Sequence, residues 1–205
     1  MYTIYINDKP FIICDDWDHL IHNKSYLHYY NNDADFITKT SKDFLQVNNK
    51  IGAVIHTSNA IKAFELFSQN YDVIEAAGGV IENELKQILM IFRRGFWDMP
   101  KGKIEKGETE ISAAKREVIE ECGINQVEVK SKIGTTYHTF NMYGKNVLKI
   151  SHWYRMVISS TEKLKPQTEE DITEIKWFDK NGPELKKLEA YKSIHEILNL
   201  YLNKK

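Results

Sequence analysis

Hydrophobic and polar positions alternate at the start of the chain: Tyr2, Ile4 and Ile6 point one way, and Phe11-Ile12-Ile13 follows the turn signal Asn7-Asp8-Lys9-Pro10. Two short strands are predicted. Residues 15–43 are acidic and aromatic without a clear period, so no element is assigned there. Gly52–Ile55 reads as a third strand, and Ala60, Phe64 and Phe67 mark an amphipathic helix over Ser58–Gln69, capped by Ser58 or Asn59. Val73–Ile81 and the apolar run Gln87–Phe92 predict two strands joined by a turn at Glu82–Leu85, and Arg93-Arg94-Gly95 ends the second. Further strands are predicted at Val127–Ile133, Thr135–Tyr143, Val147–Ser159 and Ile175–Phe178, with a turn at Asn141–Lys145. Pro183 opens a terminal helix whose stripe is Leu185, Leu188, Tyr191, Ile194, Leu198 and Tyr201.

The stretch that sets the chemistry runs from Gly102 to Ile124. Its second half is predicted helical: Thr109 caps it, Gly123 ends it, and Ile111, Ala114, Val118 and Cys122 recur at helical spacing. Glu117, Glu120 and Glu121 stand at i, i+3 and i+4, so three carboxylates share one face. Each like-charge pair costs an isolated helix about 0.2–0.5 kcal/mol. A cation relieves that repulsion, and hard oxygen donors suit Mg²⁺ or Mn²⁺ better than zinc. Three glutamates alone would more often be a solvated acidic face. The whole spacing, Gly102, Glu108, Arg116-Glu117-Val118, Glu120-Glu121 and Gly123-Ile124, has a chance probability of roughly 10⁻⁹ to 10⁻¹⁰ per starting position at average residue usage.

This segment resembles the signature of the Nudix hydrolases, G-x5-E-x7-R-E-U-x-E-E-x-G-U with U aliphatic, and matches it at every fixed position. The resemblance covers the box tightly and residues 73–205 loosely. It implies an α/β chain with an α/β/α sandwich around a mixed sheet; the strands and helix predicted before it make residues 1–72 a small α+β extension. It also implies a Mg²⁺-dependent hydrolase, with Mn²⁺ as a substitute, acting on a phosphoanhydride of a polyphosphorylated small molecule. Glu117, Glu120, Glu121 and the carbonyl at Gly102 would ligate metal, Arg116 would orient Glu117, and Glu108 would pair with the arginine or reach metal through water. The general base stays unassigned. Relatives carry an acidic residue six positions before a tryptophan; counting back from Trp177 gives Asp171 as a further metal ligand, with Glu170 beside it.

Divalent metals suit this reaction because they neutralise the oxygens that repel an attacking hydroxide and acidify bound water. Arg93, Arg94, Lys101, Lys103 and Lys149 are the candidate phosphate contacts. Trp97-Asp98-Met99-Pro100-Lys101-Gly102-Lys103 resembles the W-x-x-P-K-G-K run of members acting on diadenosine polyphosphates, diphosphoinositol polyphosphates or oxidised nucleoside triphosphates. His138 would meet a phosphate or stack on a base, with strand-face packing an equal alternative. For Trp153 and Trp177 core packing is preferred.

Composition narrows the partners. The chain has 205 residues, 42% hydrophobic, and a formal net charge of −1. That balance argues against bulk nucleic-acid or anionic-membrane binding, and no apolar run approaches 18 residues. Cys14 and Cys122 read as reduced core thiols of a cytoplasmic protein. In residues 1–72 acidic side chains outnumber the six lysines, with no arginine. That segment is open to a role as lid, dimer interface or cover, the last two preferred; a homodimer is expected on that basis. The competing functional class is a Nudix-fold sensor that binds without turnover. An intact box favours the enzyme.

Overall fold

The structure is a computed structural model describing residues 1–15, 25–31, 34–46 and 52–203. The chain divides into two compact units: Met1–Ile74 with Tyr137–Lys149, and Glu75–Thr136 with Ile150–Lys205. The first unit is therefore not the contiguous segment 1–72, because it takes in a piece of chain from much later in the sequence.

In that unit β1 (Tyr2–Ile6) and β2 (Lys9–Cys14) form an antiparallel hairpin with Ile4 opposite Phe11. Asn7 and Asp8 both take positive φ, 50° and 60°. Short polar side chains tolerate this conformation in two-residue hairpin loops. Next come β3 (Tyr26–Tyr30), α1 (Ala34–Gln46), β4 (Gly52–His56) and α2 (Ala60–Ser68). The strand β4 lies between β2 and β3, parallel to both, and β1 pairs in parallel with Tyr137–Thr139. Phe11 meets Phe44 of α1 and Phe67 of α2 at ring-centroid distances of 5.6 and 5.7 Å, while Tyr2 stacks on Phe64 at 4.2 Å. Of the two expected caps for α2, Asn59 accepts the Lys62 N–H at 3.0 Å. Stretch 15–43, given no element above, contains β3 and the first part of α1. His19 and His22 lie outside the described residues.

The second unit contains β5 (Asp72–Glu82, from Glu75 onward), β6 (Gln87–Arg93), β7 (Phe96–Asp98), β8 (Lys101–Lys103) and α3 (Glu110–Cys122). It continues with the base of a hairpin formed by β9 (Glu128–Met142) and β10 (Lys145–Val157), then a 3-10 turn at Thr168–Glu170. It closes with β11 (Ile172–Asp179), α4 (Pro183–Lys186) and α5 (Lys192–Asn203). Strand order here is β11-β6-β5-β10-β9, with β7 on β6 and β8 on β5.

Successive residues of a strand face opposite sides, and both sides of this sheet are apolar. Ala77 and Ile81 of β5 with Leu89 and Ile91 of β6 pack against Ala113, Ala114, Val118 and Cys122 of α3. Their neighbours Val80, Ile88 and Met90 pack against Ile194, Ile197 and Leu198 of α5. A helix on each face gives the expected α/β/α sandwich.

Three details differ from the pattern reading. Residues 128–142 form one strand, because Gly134 stays extended, with Ile197 and Leu200 of α5 within van der Waals reach of where a Cβ would stand. The terminal helix is two helices, since the chain between them pairs with β7: Trp97 N–H donates to the Glu189 carbonyl at 2.8 Å. Ile111 is 47% exposed, and Ala113 takes its place in the buried stripe. Among the described residues no helix is long and apolar enough to cross a membrane.

Candidate active site

Both ends of α3 are fixed by local chemistry. Thr109 Oγ1 accepts the Ser112 N–H at 3.1 Å and Ser112 Oγ accepts the Thr109 N–H at 2.9 Å, a reciprocal capping box of the kind worth about 1 kcal/mol. Gly123 takes φ +63° and closes the other end. A side chain is strained there. Held between these stops, the helix presents Glu117, Glu120 and Glu121 beside β8.

Each carboxylate meets a different environment. Glu121 is 1% exposed; its Oε2 accepts the Lys101 N–H at 2.8 Å and its Oε1 lies 3.5 Å from Arg93. Glu117 is half-buried against β8, where a Cβ on Gly102 would overlap its carboxylate. Glycine at 102 is thus required by close approach. Glu120 is the open member, its side chain 46% exposed. Arg116 ties the set together. Its Nε and Nη2 fork onto Glu108 at 2.7 and 2.8 Å, Nη1 reaches Glu117 at 2.7 Å and Glu120 at 3.1 Å, and Nη2 also donates to the Lys103 carbonyl at 3.0 Å.

These contacts separate the titrations. Hydrogen bonds from Arg116 hold the Glu108 carboxyl down to about 2. Burial raises Glu117, helped by the charges of Glu120 and Glu170 and opposed by Arg116. Burial pushes Glu121 up to about 7, against the pull of Lys101 and Arg93. An acid raised in the folded state stabilises the fold when protonated. That contribution is full below the ordinary carboxylate value and is lost as pH rises through about 7. In metal-free buffer Glu121→Gln is expected to melt close to the parent at pH 5 and above it at pH 8. Melting curves at both values check this, and a constant offset across the range would refute it.

The other residues singled out by sequence divide into two groups. Arg93 joins the network, bridging Glu121 and Glu170, the latter at 2.7 Å. Asp171 does not join it. Asp171 turns away at φ +60° and pairs with Arg94 at 2.8 Å on the surface. Asp171 was the expected late metal ligand; Glu170, its neighbour, is the late carboxylate whose charge reaches Glu117 as the side chains stand. Lys101, expected as a phosphate contact, has its side chain 9% exposed and its ammonium on Asp98 at 2.5 Å. Lys103 is exposed. His138 and Lys149 belong to the first unit, where His138 stacks on Phe140 at 5.5 Å. Trp153 is buried, its Nε1–H donating to Thr136 Oγ1 at 2.8 Å, and Trp177 packs at the edge of the α3-side core. Sequence reasoning missed Asp98; an Asp and a Lys three apart around Pro100 were the available signal.

A cleft of about 900 Å³ lies elsewhere on this unit, lined by residues including Ile111, Lys115, Val127 and Arg155 and by none of the three glutamates. Its volume marks no chemistry; the carboxylates do. Their donors are all oxygen, and burial together with mutual repulsion raises Glu117, which fits a hard divalent cation. As their side chains stand, no three Asp, Glu, His or Cys groups among the described residues converge on one point.

Comparison with known proteins places the chain. An m7GpppN-mRNA hydrolase of Saccharomyces cerevisiae is 32% identical over 123 residues, which are 58% of this chain and 12% of that protein. The chain thus matches only a small part of that relative's length. A C. elegans Ap4A hydrolase structure superposes with a TM-score of 0.51 at 22% identity, covering 62% of this chain and 94% of that one. The E. coli ORF135 protein gives 0.50 at 20% identity over 65% of this chain and 91% of its own. The NUDIX domain profile matches residues 73–198, more than half of the chain and the whole of the carboxylate network, so this protein belongs to the NUDIX family.

Proposed function

We propose that the chain is a Mg²⁺-dependent hydrolase that cleaves a phosphoanhydride bond in a nucleoside polyphosphate or a related polyphosphorylated small molecule. The observation that carries this is the carboxylate face of α3, stacked on β8 and spanned by Arg116. Glu117, Glu120, Glu121 and the carbonyl at Gly102 would hold the metal. A divalent ion bound there supplies charge neutralisation on the phosphate oxygens and a more acidic water. The chain's own groups do the rest. Arg116 sets the directions of Glu117 and Glu120, and the burial of Glu121 keeps water from one side of the site. Lys103, exposed beside Gly102, offers a point charge to the substrate's phosphates, and Mn²⁺ would substitute for Mg²⁺.

The yeast relative's name adds capped RNA to the substrates to be compared. Near-neutral net charge favours the small molecule over the polymer. The buried thiols of Cys14 and Cys122 suit a cytoplasmic setting. The test is a Mg²⁺ screen of the purified chain against dinucleoside polyphosphates, nucleoside triphosphates, nucleotide sugars, inositol pyrophosphates and capped RNA, with phosphate products identified by chromatography. Turnover of a small polyphosphate that stops on chelation is expected. Ligand binding without turnover across the whole panel would overturn the hydrolase reading in favour of a sensor.

A further inference from the structure

The turn that leads into the box is built around one buried carboxylate that the reaction does not use. Asp98 is 6% exposed, and both of its oxygens are engaged. Oδ1 accepts the Met99 N–H at 2.8 Å, and Oδ2 takes the Lys101 ammonium at 2.5 Å. Pro100, between them, has no N–H to give, and its carbonyl accepts the Gly79 N–H at 3.0 Å. The next two residues meet the glutamates. Lys101 N–H points at Glu121 Oε2, and Gly102 lies against Glu117.

We infer that Asp98 is a positioning residue for the carboxylate site: by gripping the Met99 N–H and the Lys101 side chain together, it fixes the backbone on which Glu121 and Glu117 rest. The inference rests on the hydrolase reading for its kinetic arm and on geometry alone for its binding arm. It makes the two lysines that flank Gly102 unlike each other. Lys101 has its charge turned inward and spent on Asp98, so it acts on the glutamates; Lys103 faces solvent and acts on the substrate.

Groups that hold a metal's ligands from behind alter affinity or rate by about 10–100-fold when removed. In the full chain, Asp98→Ala is therefore expected to lower both kcat and Mn²⁺ affinity, the latter read by electron paramagnetic resonance, by about tenfold or more. KM should stay within about twofold of the parent, because no substrate contact is lost. Asp98→Asn keeps an acceptor for the Met99 N–H and should recover part of both losses. Lys103→Ala should show the opposite split: KM raised, Mn²⁺ affinity within about twofold of the parent. A folded Asp98→Ala chain with parental kcat and Mn²⁺ affinity would overturn the inference, as would one whose defect lies in KM. If Asp98→Ala does not fold, Asp98→Asn decides in its place: parental kcat and Mn²⁺ affinity there would equally overturn it. A parent chain that binds Mn²⁺ but hydrolyses nothing ends the hydrolase reading, and the Mn²⁺ arm still decides the role of Asp98.

Discussion

Glu120→Gln is expected to remove Mg²⁺-dependent turnover, by about 10³-fold if the ion supplies several kcal/mol to the transition state. The fold should be untouched. Glu120 is the most exposed of the three glutamates, and its Arg116 contact at 3.1 Å is the weakest of that arginine's carboxylate bonds. Glutamine keeps the size and one acceptor, so only the charge offered to the cation goes. Turnover, melting temperature and Mn²⁺ affinity measured on the same preparation separate the effects. Parental turnover in the variant would remove the helix face from the site.

The second large effect is expected at Arg116. Alanine there strips Glu108, Glu117, Glu120 and the Lys103 carbonyl of one shared donor. Breaking a fully buried pair costs about 3–5 kcal/mol; with the arginine a quarter exposed, about 2–3 kcal/mol is the reasonable figure. For a chain of this length that lowers the melting temperature by about 5–10 °C. Lysine should not rescue it, because one ammonium cannot reproduce the fork on Glu108. The loss has its own acid signature. The depressed Glu108 carboxyl stabilises the parent above its ordinary value, and this is lost as pH falls towards about 2. The gap between variant and parent should therefore close on acidification from pH 5. A gap that widens would contradict the Arg116–Glu108 pairing.

How much of this was legible in the sequence depended on whether the deciding interaction was local. The ends of α3 were, because Thr109 and Gly123 act within one turn of themselves. So were the strands of the sandwich, whose apolar runs are required by two buried faces. Illegible features were settled by distant chain. Gly134 looked like a break until α5 supplied the surface against it, and Lys187–Tyr191 looked helical until β7 offered backbone partners. Lys101 looked like a phosphate contact because its position beside Gly102 is visible in one dimension. That Asp98 turns its charge inward is not. Counting back from Trp177 reached the turn that carries both acids, but not that Glu170 pairs with Arg93 of the network while Asp171, at φ +60°, pairs with Arg94.

One feature of the fold bears on how the molecule is made. The strand β1 completes its pairing only with Tyr137–Thr139. A ribosome therefore releases the first seventy-odd residues well before their last neighbour exists. During that interval the nascent chain carries an unmatched margin rich in isoleucine and tyrosine, and translation speed through residues 75–136 sets how long it stays open to the wrong company.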